Sequence, residues 1–148
     1  MISSKIFKEY LMPINKAIQA SPVNQTFHLD GVKHIAAADA HELLTGQQAV
    51  LIDVRRKEEF EVERIPLSGV KLYPMEQIMD NLHKLPKEQP VIVMDTTGER
   101  GTKVARLLNL QGFKQVANLD GGLVQWKKED LPVDNIFPES CGGCCECN

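Results

Sequence analysis

The spacing of hydrophobic residues changes along the chain, and each change predicts an element. Ile6, Phe7, Tyr10, Leu11, Ile14 and Ile18 recur at helical spacing. Pro13 interrupts them, so the head, residues 1–26, predicts one kinked helix or two short ones. That face either packs on the main domain or serves an oligomer or partner. From residue 27 onwards short apolar runs alternate with helical stretches. "GVKHI" reads as a strand. Asp39 stands three before Glu42, a capping-box spacing ahead of "HELL". "AVLIDV", "VKLYP", "VIVM" and "QVANL" read as further strands, the second ended by Pro74. "MEQIMDNLHKL" has helical spacing and stops before Pro86. "GTKVARLLNLQ" predicts a helix ending at Gly112, with Phe113 as the apolar partner of a glycine cap. "LVQWKKE" predicts a short helix after Gly121 and Gly122, with Trp126 in the core. Alternation of this kind implies an α/β fold: a mostly parallel, five-stranded sheet covered by helices on both faces. The main domain is expected over residues 27–134. Residues 135–148 have little to bury and are expected to form a flexible tail.

Composition fits that picture. At 148 residues, 43% hydrophobic and 25% charged, the chain matches one globular domain that buries a core without staples. The net charge of −3 and the absence of a basic stripe argue against nucleic acid and anionic membranes as partners. No apolar run approaches about 18 residues, and "MISSKIFKEYLMPINKAI" lacks a signal-peptide core. A cytoplasmic setting is the resulting expectation. Oligomeric state has no signature in the sequence. His28, His34, His41 and His83 are scattered without metal spacing and read as solvated or structural.

Candidate chemistry gathers where strands end, because ligands of an open parallel sheet bind at the carboxyl edge. "VIVM" runs into "DTTGER", residues 95–100, and a helix is expected to begin near Arg100. Gly98 and Gly101 allow a sharp turn and close approach of a ligand. Peptide N–H groups can then converge on one hollow, a site for negative charge. Three chemistries share this signature. A GTPase loop needs a GxxxxGK[ST] phosphate cradle upstream, and the chain has none. An aspartyl-phosphate enzyme would use Asp95 as acceptor with Mg²⁺ and further carboxylates, Asp53 among them. The third is a sulfur-handling loop without its cysteine.

The flanking residues favour the third. "LIDVRRKEEFEVERIP" resembles the first signature of the rhodanese-like domain, with Asp53, Val54, Arg55, Glu59, Phe60, Ile65 and Pro66 at the matching places. "NLDGGLVQWKKEDLPV" resembles its last signature through Asp120, Gly121, Gly122, Trp126, Leu131, Pro132 and Val133. The resemblance covers about residues 32–134 and implies the rhodanese-like three-layer fold. It also implies a six-residue loop, cysteine first and arginine usually last, whose amides hold a sulfane sulfur on the cysteine as a persulfide. Phosphatase-like members of the fold carry a loop one residue longer. On this chain Arg100 matches the arginine and Asp95 stands at the cysteine position. Thr96, Thr97, Gly98, Glu99 and Gly101, with Asp53 and Arg55, are the implied substrate contacts. "ERIPLSGVKLYP" departs from the Gly-His-Ile usual in the family. Non-catalytic halves of tandem rhodaneses are similar in carrying aspartate here. A carboxylate cannot hold sulfur reversibly as a thiolate does. The expected role is therefore a degenerate module for sulfur handling or redox delivery, which needs no cofactor in the domain and works with a protein partner or a sulfur or thiol carrier. If amides and Arg100 converge on Asp95, its pKa is expected to fall.

All four cysteines, Cys141, Cys144, Cys145 and Cys147, lie in the last eight residues. Three uses stay open: binding Zn²⁺ or Cu⁺, carrying sulfur or cycling as a dithiol in place of the absent loop cysteine, or no special role. A working sulfurtransferase that uses a tail cysteine is the alternative to the degenerate module.

Overall fold

The computed structural model describes residues 14–136. The head residues before Ile14 and all four tail cysteines lie outside that range. The elements in chain order are α1 (Ile14–Ala17), β1 (Ile18–Gln19), β2 (Lys33–Ile35), α2 (Ala37–Thr45), β3 (Val50–Asp53), α3 (Lys57–Val62), β4 (Glu63–Arg64), β5 (Val70–Leu72), β6 (Val91–Met94), α4 (Glu99–Leu110), β7 (Val116–Leu119), α5 (Gly122–Lys128) and β8 (Asp134–Asn135). The main sheet has the order β1-β2-β7-β6-β3-β5. Every pairing from β2 to β5 is parallel. The five expected strands are therefore present, with a sixth added antiparallel at the edge.

Strict alternation on the central strands divides the core. Ile92 and Met94 of β6 join Leu51, Leu119, Leu123 and Trp126 on one face. Val91 and Val93 join Ile52, Val104, Leu108 and Phe113 on the other. All four residues of β3, β6 and β7 are buried, as a sheet covered on both faces requires. Helices α2 and α5 cover one face, and α4 with the turns before β6 covers the other. Helix α4 ends as expected: Phe113 N–H donates to Leu108 O at 3.0 Å and Gly112 N–H to Asn109 O at 3.2 Å.

Four local expectations are corrected. Ile18 lies in a strand, not a helix. It pairs with Ile35 across the open edge of β2, where backbone groups need partners more than the head needs a further helical turn. Helix α2 begins at Ala37 with Ala36 as an N-cap that makes no side-chain bond. Asp39 is already helical there, so it cannot cap and only places charge in the first turn. The stretch after Pro74 forms two 3-10 turns, Met75–Gln77 and Met79–Lys84. It is tied to the sheet through Met75 N–H to Val54 O and sinks Ile78 and Leu85 into the core. Lastly, β8 pairs with β4, so regular structure runs past the expected tail boundary as far as Asn135.

Ile92→Ala, at 0% exposure, is expected to cost about 2–5 kcal/mol in urea unfolding. Leu110→Ala, at 72% exposure, should stay within about 0.5 kcal/mol of the parent.

Candidate functional site at the Asp95 loop

Strand β6 delivers Asp95 to the carboxyl edge of the sheet, and the chain then turns through Gly98 into α4. Gly98 caps the helix at φ 103°, a left-handed conformation that disfavours side chains. Gly101 has no positive φ and sits inside the helix, so the turn rests on Gly98, while close approach explains Gly101: a Cβ there would collide with Asn118 Oδ1 and lie 3.3 Å from Asp95 Oδ1. The peptide N–H groups curl back on the Asp95 side chain. Oδ1 accepts from Gly98 N–H at 2.6 Å and Oδ2 from Arg100 N–H at 2.9 Å. Arg100 Nε stands 3.6 Å from Oδ2. Asp95 is 1% exposed. Its carboxyl is nevertheless raised above the ordinary value: burial dominates, and the amides of Arg100 and Gly98 with the Arg100 charge recover only part of the loss. The lowered pKa expected from the converging donors is thus corrected, because the same closure that aims the donors removes water.

Arg100 is engaged as well. Its Nη1 donates to Glu59 Oε2 at 2.8 Å and its Nη2 to Glu59 Oε1 at 2.9 Å, a two-pronged pair. Nη2 also donates to Thr96 Oγ1 at 3.2 Å. Glu59 comes from α3 and accepts Arg56 N–H at 2.8 Å. The hydrogen bonds from Arg100 hold the Glu59 carboxyl down at about 2, against the opposing effect of burial. The same bonds raise the Arg100 pKa.

Asp53 and Arg55, expected to contact substrate, are corrected. Both are buried, and Arg55 Nε and Nη2 donate to Asp53 Oδ1 and Oδ2 at 3.0 and 2.9 Å. Arg55 also donates to the carbonyls of Glu63 and Glu59. The pair fastens the end of β3 to α3, a buried ion pair whose geometry is nearly satisfied. Asp53 is therefore not free to assist a metal. Among the described residues no group of three His, Cys, Asp or Glu side chains stands close enough to hold one. Asp95, the residue that would accept a phosphoryl group, is enclosed by its own loop.

Helix α5 closes the loop from the other side. Leu123 and Val124 N–H donate to the carbonyls of Asp95 and Thr96 at 2.9 and 3.0 Å. That docking explains Gly122: a Cβ there would lie 2.5 Å from the Asp95 carbonyl oxygen. Thr97 and Glu99 face outward and, with Asn24, Gln25 and Phe27, line a hollow of about 240 Å³.

A family model for the rhodanese-like domain matches residues 36–129. The chain belongs to the rhodanese-like domain family. This rhodanese-like domain is 35% identical over 104 residues to the uncharacterized protein YibN of Escherichia coli, covering 69% of the chain and 72% of YibN. It is 34% identical over 115 residues to the rhodanese-like/PpiC domain-containing protein 12, chloroplastic, of Arabidopsis thaliana. There it covers 72% of the chain and spans 37% of that longer protein. Among solved structures, a rhodanese-like domain protein from Staphylococcus aureus superposes with a TM-score of 0.58 at 30% identity, over 63% of this chain and 89% of that one. A rhodanese-related protein from Thermoplasma volcanium shares the fold with a TM-score of 0.62 at 23% identity, over 68% and 96% of the two chains. No helix among the described residues is long and apolar enough to cross a membrane.

Four participants were not legible as site residues. Glu59 belongs to the first signature, but its pairing with Arg100 needs α3 to fold against the loop. Gln25 has no motif at all. His28 and His34 read as solvated or structural, and the structure adds their contact: His28 Nδ1 lies 2.9 Å from His34 Nε2. Burial, then His28, lower the His34 pKa to about 4, opposed by Asp120.

The sign of these shifts is testable. Glu59 is depressed, so its stabilising effect is present above its ordinary value of 4.5 and lost as pH falls towards 2. Glu59→Gln should thus be less stable than the parent at neutral pH, with the gap narrowing through that window. Urea unfolding between pH 7 and 2 measures it, and a pH-independent gap would refute the pairing.

Proposed function

We propose that this rhodanese-like protein is a catalytically degenerate module in sulfur handling or redox delivery. In this reading the loop is a closed structural site and the Cys-rich tail carries sulfur or a soft metal, Zn²⁺ or Cu⁺. The domain docks a protein partner or a sulfur or thiol carrier. One observation carries the reading: both groups that would receive an anion are already satisfied from within. The Gly98 and Arg100 amides bind the Asp95 carboxylate, and the Arg100 guanidinium binds Glu59.

Physical chemistry supports it twice over. A carboxylate is a hard nucleophile with no stable persulfide equivalent, so sulfane sulfur has nowhere to rest at Asp95. Charged, Asp95 would repel a second anion about 4 Å away by roughly 4 kcal/mol at an effective dielectric near 20. Protonated, it would still fill the cradle. Either state disfavours thiosulfate.

A specific contact favours one alternative, sulfur transfer through a tail cysteine. Ile136 N–H donates to Val62 O at the end of α3, the helix that carries Glu59. The last described residue is therefore held at the end of the helix that carries Glu59. Cys141, five residues on, can reach roughly 16 Å from there.

Changing Cys141, Cys144, Cys145 and Cys147 together to serine separates the readings. Neither the parent chain nor that variant should transfer sulfur from thiosulfate to cyanide, whereas the tail-cysteine alternative expects transfer by the parent that is lost in the variant. Adding Asp95→Cys to it should produce a protein that gains the mass of one sulfur atom on exposure to thiosulfate. Turnover in the four-serine variant would sink the degenerate reading. Elemental analysis and mass spectrometry of the intact chain, prepared without chelators, decide the tail: near-stoichiometric zinc or copper supports metal binding, added sulfur on the tail cysteines of metal-free chain supports sulfur carriage, and neither leaves the tail without either role.

A further inference from the structure

The segment between β1 and β2 does something the family's sequence signatures do not describe. Residues 23–27 bind the last signature at Asp120 and Gly121 and the Asp95 loop at Gly98 at once. Asp120, at the end of β7, is fully buried, yet all four hydrogen bonds to its carboxylate come from this segment. Val23 N–H donates at 2.8 Å, Asn24 N–H at 2.9 and 3.1 Å, and Asn24 Nδ2 at 3.2 Å. A buried carboxylate without those donors would carry a large desolvation penalty. The site therefore needs either this segment or water in its place.

Gln25 makes the second attachment, to the Asp95 loop itself. Its Oε1 accepts from Gly121 N–H at 2.9 Å and from Asn118 Nδ2 at 3.0 Å. Its Nε2 donates to Thr102 Oγ1 at 2.9 Å, to Gly98 O at 3.2 Å and to Phe27 O at 2.8 Å. The carboxamide occupies the space that a Cβ on Gly98 would need. The Gly98 peptide is thus held from both sides: its N–H by Asp95 and its carbonyl by Gln25 and Thr102. Asn118, Thr102 and Asp120 are each at 0% exposure, so the socket is a built one.

What holds the segment is almost wholly polar. Val23 is 77% exposed, and Asn24 and Thr26 are exposed. Segments fastened by hydrogen bonds with little buried apolar area open at the low end of a protein's stability range. The hollow beside Thr97 and Phe27 gives the segment room to move.

We propose that residues 23–27 are a restraining strap: Gln25, plugged between Gly98 and Gly121, locks the Asp95 loop shut, and release of the strap from Asp120 opens the loop to solvent. This concerns access to the loop and stands apart from the sulfur reading, whose tests it does not share.

Hydrogen exchange of the full chain, read by mass spectrometry, tests it. The amides of Val23 and Asn24, of Gly98 and Arg100, and of Gly121 should exchange in one opening event, faster than those of β3 and β6. Gln25→Ala should accelerate all three regions together by about tenfold, the loss of one or two net hydrogen bonds, and leave β3 and β6 unchanged. Asp120→Asn keeps the shape but weakens the carboxylate's hold, and should give the same pattern. Acceleration of the strap without the loop would overturn the proposal, as would equal acceleration in β3 and β6.

Discussion

The Asp95 carboxylate, gripped by the amides of its own loop, is the contact on which the rest of the site depends. A turn that aims several N–H groups inward must find something negative to hold. Here the chain supplies it from the first residue of the turn. Every neighbouring feature adjusts to that choice. Gly98 takes the left-handed conformation that brings its N–H to Oδ1. Arg100, whose amide is already committed, turns its guanidinium outward to Glu59. Helix α5 docks its first turn on the loop's carbonyls, leaving the N–H groups to face inward.

The electrostatics follow from enclosure rather than from charge pairing alone. Asp95 and Glu59 both lie near Arg100, yet their pKa values move in opposite directions. Glu59 remains partly exposed, so its direct bonds to the guanidinium outweigh a small desolvation penalty. Asp95 is sealed, so the loss of water outweighs two short amide bonds. The difference between the carboxylates is therefore one of solvent access. The buried Asp53–Arg55 pair shows a third solution, in which a bidentate cation and backbone carbonyls replace water almost completely.

Three remote segments converge on the loop: the first signature through Glu59, the last through Gly121 and Gly122, and the N-terminal strap through Gln25. Such convergence restrains the loop through contacts that stay polar and local. The buried chain from His28 through His34, Asn118 and Gln25 to Gly98 is continuous in hydrogen bonds. The strap is thus connected to the sheet's interior as well as to its rim.

The layered fold, the loop and its edge of the sheet are legible in the order of amino acids. Continuous apolar runs can only be central strands, and Asp95 follows directly on one of them. Periodicity also placed Trp126 in the core and the end of α4 at Gly112, because those signals lie within one element. Which side chains meet is settled by long-range packing. Whether Arg55 reaches a pocket or Asp53, whether Arg100 is free or paired, and whether Gln25 matters at all depend on segments dozens of residues apart. The strand at Ile18 and the raised pKa of Asp95 belong to the same class. Local preference gave way to an open sheet edge in one case, and donor geometry gave way to desolvation in the other. Neither an open edge nor a sealed cavity exists until the chain has closed around it.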